Sequence, residues 1–420
     1  MRLSVWFLCL FLTLNSISCK KSNQNSDESS TSEISYPIVE DWSKAYNFKK
    51  LNPDDKEKKF QLIDNYFKTV WLPANVSGGL IVAQHGQIIY EAYNGFEDIE
   101  NQIPMTAESS LHIASISKIM TALVILKYAD EGKINLNDKV SLYLENFPYS
   151  DVSIENLLNH RSALPNYLYL SDDKAYWDNS QMMSNQDVLD MLVTKKPAVN
   201  GTAGKNFSYN NTNFVLLALI IEKLSGMTYP EAMKKMIFDP IGMDHTFVMD
   251  FDKDADRVSK SYNFRGSFWA YDHLDKTYGD KNIYSTPKDL LKLDLALYSD
   301  KILSDKMKEL AWKGYSYEKK GVKNYGLGFR MMEWDNGDKM LYHTGKWHGN
   351  NSVLIHDVKN EVSIISIGNR RSRLIYDAMS LISYFSDYPM GIPGGKNPDD
   401  SLRLGKNNSK TDNSEEGSAD

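Results

Sequence analysis

Cysteine is nearly absent. The 420-residue chain has two, Cys9 and Cys19, both close to its start, so no disulfide can staple the rest of it. An excess of positive charge is also missing. Lys and Arg total 48 against 55 Asp and Glu, a net charge of -7, and this excludes the basic footprint that holds nucleic acid. The eight histidines show no HExxH or paired metal-ligand spacing, and no Gly-rich phosphate loop occurs. No metal and no organic cofactor is implied, and no internal repeat is found. What is present is a 42% apolar content, enough for a substantial core in one large domain or a few ordinary ones.

The first residues carry an address. Met1-Arg2-Leu3 is a short positive start, and Ser4 to Leu14 is an apolar run of signal-peptide length, too short to span a bilayer comfortably. "NSISC" then ends at Cys19 and resembles a bacterial lipoprotein cleavage site, with Ser16 where leucine is usual. Cleavage there would leave a lipidated Cys19 as the new first residue. Two or more acyl chains anchor stably, at about 0.8 kcal/mol per buried methylene. The polar "KKSNQNSDESSTSE" follows as a tether. The expectation is an exported lipoprotein, held on the periplasmic face or cell surface, with a signal peptide at 1–18, a lipidated tether at 19–50, a folded domain at 51–390 and a disordered tail at 391–420.

Within the domain, Phe60, Ile63, Phe67, Val70 and Trp71 recur at helical spacing behind acidic residues. "GGLIVAQHGQIIYEAYNG" reads as two strands turning at His85-Gly86. "IASISKIMTALVILKYADEG", Ile113 to Gly132, reads as one buried helix. Residues from about 133 to 280 are mostly helical or loop-like, with an apolar helix from Thr212 to Leu224 ended by Gly226 and another begun at Pro230. Strands return as "YGLGFRMMEW", "KMLYHTG", "NSVLIHDV" and "EVSIISIG", the last two joined at Lys359-Asn360, and Ser372 caps a closing helix through about Phe385. This order predicts a mixed α/β fold: an antiparallel sheet flanked by its terminal helices, with a helical subdomain inserted at about 133–280.

Lys118 is the anomaly in the buried helix. An ammonium is costly to bury unless it is paired or gives up its proton. It sits three residues after Ser115, on the same helix face, at the helix N-terminus. A serine hydroxyl needs an adjacent base, and a lysine in apolar surroundings can be pushed towards the neutral form that would serve. The S-x-x-K spacing alone is weak, since it recurs at Ser18–Lys21, Ser171–Lys174, Ser285–Lys288 and Ser316–Lys319. Two further segments accompany it. "FSYNNTNFVLLALIIEKLSG" carries Tyr209 and Asn211 ahead of a second apolar helix, and "LYHTGKWHGN" carries His343, Thr344, Gly345 and Lys346 on a late strand. Taken singly, the first is ordinarily a capped turn and the second a strand end.

Together and in this order the three segments resemble the serine β-lactamase and penicillin-binding-protein superfamily, in its class C-type branch of β-lactamases, D-alanyl-D-alanine carboxypeptidases, D-aminopeptidases and esterases. The resemblance runs from about Ala74 to Phe385 and includes "IENLLNHRSALPNY", "NIYSTPKDLLKLDLAL" and "YGLGF". It implies a serine hydrolase acting through an acyl-enzyme on a small-molecule or peptide substrate, a D-amino-acid peptide, an ester or a β-lactam. Ser115 would be the nucleophile and Lys118 would hold and deprotonate it. Tyr209 would act as general base and acid, and Asn211 would bind the substrate amide and orient Lys118. His343 would take the third-motif place beside Tyr209. The backbone N–H groups of Ser115 and Lys346 would form an oxyanion hole, worth about 3 kcal/mol.

Two residues depart from the pattern. His343 stands where β-lactamases proper usually have lysine, which disfavours β-lactam hydrolysis. Ala163 stands where glycine is common, so a differently shaped loop is expected. His160 reads as a loop-fixing residue. The aromatics Tyr167, Tyr169, Tyr176, Trp177 and Trp269 read mainly as packing, and Trp347, beside the third motif, as a cleft wall. A metal pair of His343 and His348 lacks a third ligand and is discounted. The rival to an enzyme is a non-catalytic penicillin-binding sensor of the same fold.

Overall fold

The computed structural model describes residue 39 and residues 41–390. The expected signal peptide, Cys19 and the expected tail lie outside the described residues. Residues 41–50, read from sequence as the end of the tether, are docked instead. Trp42 is buried in a 3-10 turn, Trp42–Lys44, capped by Asp41. Phe48 meets the ring of Tyr298 at 5.0 Å, and the Lys49 N–H donates to Glu361 at 2.9 Å. The two apolar rings in a polar stretch are what draw this segment onto the domain.

Helix α1, Pro53–Tyr66, starts where its residues say it should. Asn52 accepts from the N–H groups of Asp54 and Asp55, and Pro53 opens the first turn. The helix runs on into a π turn, Phe67–Trp71. Twelve strands follow among the described residues: β1 Gly78–Gln84, β2 Gln87–Asn94, β3 Phe96–Asp98, β4 Ile103–Pro104, β5 Leu111–His112, β6 Phe247–Val248, β7 Ile283–Ser285, β8 Lys323–Tyr325, β9 Arg330–Glu333, β10 Lys339–Trp347, β11 Asn350–Asp357 and β12 Val362–Gly368. Seven of them build one antiparallel sheet in the order β2-β1-β12-β11-β10-β9-β8. The turn joining β1 to β2 has φ of 51° at His85 and 73° at Gly86, the paired positive values of a tight hairpin turn.

The sheet is covered on both faces, as strands buried along their whole length require. Alternation divides the cover. Leu80, Val82, Val353 and Ile364 pack with Ile63, Trp71 and Leu381 of the terminal helices. Ile81, Leu354 and Ile365 join the core of helix α2, Ser117–Asp130, and the helices Thr212–Ser225 and Pro287–Tyr298. The predicted α/β architecture is therefore observed. Three local expectations change. "YGLGFRMMEW" is not one strand: it folds back at Gly326–Phe329 as the β8–β9 hairpin, with Gly328 at φ 86° and pressed so close to α2 that a Cβ there would lie 2.3 Å from that of Ala122. The insertion also carries β6, which pairs with β7 as β5 does. The closing helix is one α turn, Leu374–Asp377, and then 3-10, Ala378–Tyr384; Ser372 does accept from the Leu374 N–H. Among the described residues no helix is long and apolar enough to cross a membrane.

At Ala163 the backbone takes the left-handed conformation, φ 56°, that glycine adopts without strain. The residue type differs from the expected glycine, and the backbone is of the kind glycine favours. Ala163→Gly should therefore raise stability by about 0.5–1 kcal/mol in urea unfolding; a lower midpoint at unchanged slope would contradict the strain.

Candidate active site

The Ser115 turn is built under strain and braced from three sides. The expected single helix is in fact a 3-10 turn, Ala114–Ile116, leading into α2. Ala114 has φ 49°, uncommon for a residue with a Cβ. Its N–H donates to Nδ1 of buried His112 at 3.0 Å. The other nitrogen of that ring, Nε2, is therefore the donor to Oδ1 of Asn282 at 3.1 Å. Burial pushes the His112 pKa down to about 4, despite the Asn282 contact, so the ring is neutral near pH 7. From the sheet, Ser352 Oγ donates to the Ile113 carbonyl at 2.7 Å. It does so beneath Gly345, its register partner on β10. A Cβ at Gly345 would sit 2.3 Å from Ser352 Oγ and 2.4 Å from the Ile113 oxygen. Glycine at this third-motif position is what lets the Ser115 turn rest on the sheet.

Lys118 is fully buried, and its ammonium is paired with oxygens. Nζ donates to Ser115 Oγ at 3.0 Å and to the Asp280 carbonyl at 2.8 Å. The expected orienting contact from Asn211 is not made. Among the described residues the Asn211 side chain has no hydrogen-bond partner, and it does not cap its helix. Backbone oxygen from the segment before β7 replaces it.

Tyr209 lies over the same centre. Its ring centre is 5.1 Å from Lys118 Nζ and 4.6 Å from the guanidinium carbon of Arg330. Among the described residues its buried oxygen has no well-formed hydrogen bond. Burial by itself would raise the pKa of this phenol. The positive charges of Lys118 and Arg330, with the Ser115 hydroxyl and Lys118 ammonium nearby, outweigh that and bring it below the ordinary tyrosine value. His160 fixes the Tyr209 segment as expected. Its carbonyl takes the Ser208 N–H and its Nδ1 the Asn210 N–H, with the two rings 4.3 Å apart. Burial, and then the charge of Lys118, hold its pKa well down.

His343 is fully buried. Its Nδ1 donates to the Thr344 carbonyl at 2.8 Å, which leaves Nε2 to accept from the Tyr325 hydroxyl at 3.2 Å. Burial first, then Arg330 and Lys118, drive its pKa well below the ordinary histidine value. The third motif therefore supplies no charge from this side chain. Thr344 and Lys346 are half-buried on the same strand.

The aromatics divide as follows. Tyr167 is buried and packs with Ala114, Val215 and Trp347, while Tyr169 is exposed; Tyr176 and Trp177 border the same cluster. Trp269 stands 5.8 Å from the His348 ring. Trp347 is buried, its Nε1 donating to Asp275 at 2.6 Å, and Lys281 Nζ lies 4.4 Å over its ring. His348 pairs with Asp275 at 2.9 Å rather than with His343. Sequence reasoning missed His112, Asp280, Lys281 and Arg330. The signal for Arg330 lay in the glycines of "YGLGF", which fold it back toward the site.

Residues 66–378 match the family described as Beta-lactamase. The chain belongs to that family. It is a β-lactamase-related serine hydrolase, and the class C-type branch fits. Among relatives, Penicillin-binding protein 4* of Bacillus subtilis is 30% identical over 77% of this chain and 74% of its own length. Teichoic acid D-alanine hydrolase of Staphylococcus aureus is 27% identical over 74% of this chain and 79% of its own. Of solved structures, a penicillin binding protein from Bacillus halodurans aligns with TM-score 0.67 at 24% identity, over 76% of this chain and 98% of that one. D-amino acid amidase from Ochrobactrum anthropi aligns with TM-score 0.62 at 21% identity, over 79% and 98%. At such identities the structural likeness speaks for the fold.

Gly345→Ala should lose about 1–3 kcal/mol of stability, because backbone and Ser352 cannot both give way. It should also slow covalent labelling of Ser115 by a fluorophosphonate. Unchanged labelling and stability would show that the turn does not depend on this contact.

Proposed function

We propose that the protein is an exported, lipid-anchored serine hydrolase that forms an acyl-enzyme at Ser115 on a D-amino-acid ester or amide. The observation that carries this is the 3.0 Å contact between Lys118 Nζ and Ser115 Oγ beneath the Tyr209 ring. The lowered pKa of Tyr209 favours it, over the Lys118 expected from sequence, as the group that takes the serine proton, with Lys118 Nζ holding the serine oxygen. As Ser115 Oγ bonds to the substrate carbon, its proton passes to the Tyr209 oxygen and the carbonyl electrons move onto oxygen. The backbone N–H groups of Ser115 and Lys346 receive that oxyanion. When it collapses, the leaving oxygen or nitrogen takes the proton from Tyr209. Water then attacks the ester by the same route and frees Ser115. Asn211, whose amide has no partner among the described residues, would receive the substrate amide, and Thr344 and Gly345 would line the strand side.

The substrate class rests on two supports. The uncharged His343 provides no cation for the carboxylate of a β-lactam, and a relative is named as a D-alanine hydrolase of teichoic acid. The lipid anchor at Cys19 rests on the sequence of the N-terminus. The relatives' names fit work at the cell envelope.

A fluorophosphonate or fluorescent penicillin should label the wild type and not Ser115→Ala. No label on the wild type would sink the enzyme reading, and label that never turns over would favour the sensor. Lys118→Met should keep the fold and lower acylation by about three orders of magnitude; an active variant would refute the role of the ammonium. On protein starting after the tether, D-alanyl esters should be turned over faster than nitrocefin. Cys19→Ala should move the full chain from the membrane to the soluble fraction, and continued attachment would refute lipidation.

A further inference from the structure

The space around Tyr209 holds two cations although His343 of the third motif supplies none. Lys118 comes from α2. Arg330 opens β9, directly after the Gly326–Phe329 turn, in register with Tyr325 on β8 and Tyr342 on β10. The turn ties its place to the catalytic helix. Gly328 lies against Ala122 of α2 and gives its N–H to the Leu158 carbonyl, while Leu327 gives its own to Ala311. Arg330 therefore cannot shift relative to Lys118 without breaking the packing of the turn on α2.

We propose that Arg330 is a positioning residue for the hydrolysis: its guanidinium supplies, from the neighbouring strand, the fixed positive charge that His343 does not, and so holds Tyr209 as the phenolate that accepts the Ser115 proton. The inference rests on the reading of Tyr209 as the proton acceptor.

The groups that face Tyr209 come from six segments of the chain. Ser115 and Lys118 approach from the strained turn and α2. His160 approaches from the loop after Ile154–Leu158, with its ring at 4.3 Å. Tyr325 stands on β8 at 6.1 Å and His343 on β10 at 6.5 Å. Arg330, on β9, is the nearest cation to the ring centre, at 4.6 Å. Both histidines are driven toward neutrality by burial and by the same two cations. Lys118 and Arg330 are the two basic side chains of this group outside its histidines, and both lie over the Tyr209 ring, where they favour negative charge on its oxygen. Tyr325 gives the contrast. It is more deeply buried, and burial, then the neighbouring Tyr209 charge, pushes its pKa well up. The phenol flanked by both cations goes the other way.

The test uses the full protein and a chromogenic ester, with kcat/KM measured from pH 5 to 10 for wild type, Arg330→Met and Arg330→Lys. Circular dichroism checks each fold. Arg330→Met should fall on the order of tenfold at pH 7, with the deficit shrinking as pH rises and the phenolate is recovered. Arg330→Lys should stay within a few-fold of wild type. A loss equal at every pH, or a Lys variant as poor as the Met one, overturns the proposal. A second measurement needs no Arg330 variant: the tyrosinate absorbance at 295 nm of wild type minus Tyr209→Phe. An ionisation below the ordinary tyrosine range supports the proposal, and its absence overturns it. Ser115→Ala separates the two levels. If that variant still hydrolyses the ester, the acyl-enzyme reading itself fails. If it is inert while the Arg330 profiles do not move, only the role of Arg330 fails.

Discussion

A fully buried ammonium has to be answered by oxygen, and the centre of this protein is arranged around that demand. Lys118 sits fully buried in a helix that is buried from Ser117 to Leu126, where an unpaired charge would cost several kcal/mol. Its two partners come from distant parts of the chain, the Ser115 hydroxyl from the turn before its own helix and the Asp280 carbonyl from the chain entering β7. Meeting the first requires the 3-10 turn and the strained Ala114. Holding that turn requires Gly345, Ser352 and His112. The helix, the sheet and the small β5-β7-β6 sheet are thus joined at one charge.

The electrostatics follow from the same burial. Two histidines close to the centre, His160 and His343, are driven toward the neutral form first by burial and then by the nearby positive charges of Lys118 and Arg330. Tyrosines elsewhere in the domain, such as Tyr167 and Tyr325, are pushed toward the neutral phenol. Tyr209 is the exception, and its surroundings explain why: it is the ring over which both cations lie. A site with two fixed cations and neutral imidazoles suits a reaction that develops negative charge on oxygen, as acyl transfer does. The departure at His343 thereby becomes a redistribution of charge between neighbouring strands.

Much of the fold was legible because strong periodicity and local turn chemistry speak early. The strands around His85-Gly86, the cap at Ser372 and the Gly226 stop are set by residues next to one another. The strand that proved to be a hairpin shows the limit. "YGLGFRMMEW" is apolar enough to be a strand, and its glycines are used to bend it only because α2 and the Leu158 loop lie against the turn. Residues 41–50 look like tether until Trp42 and Phe48 find a surface to cover.

The candidate site divides in the same way. Sequence alone determined that Ser115 and Lys118 lie one turn apart at the start of a buried helix, that Tyr209 and Asn211 precede a second buried helix, and that His343 to Lys346 lie on a strand, since each of these is fixed within a few residues. Tertiary structure alone decided the partners: Asp280 and not Asn211 for the ammonium, Asp275 and not His343 for His348, and Arg330 for Tyr209. Those contacts join residues from tens to well over a hundred positions apart. Which charge lies within reach of another at that separation depends on how the layers pack, and no local pattern encodes it.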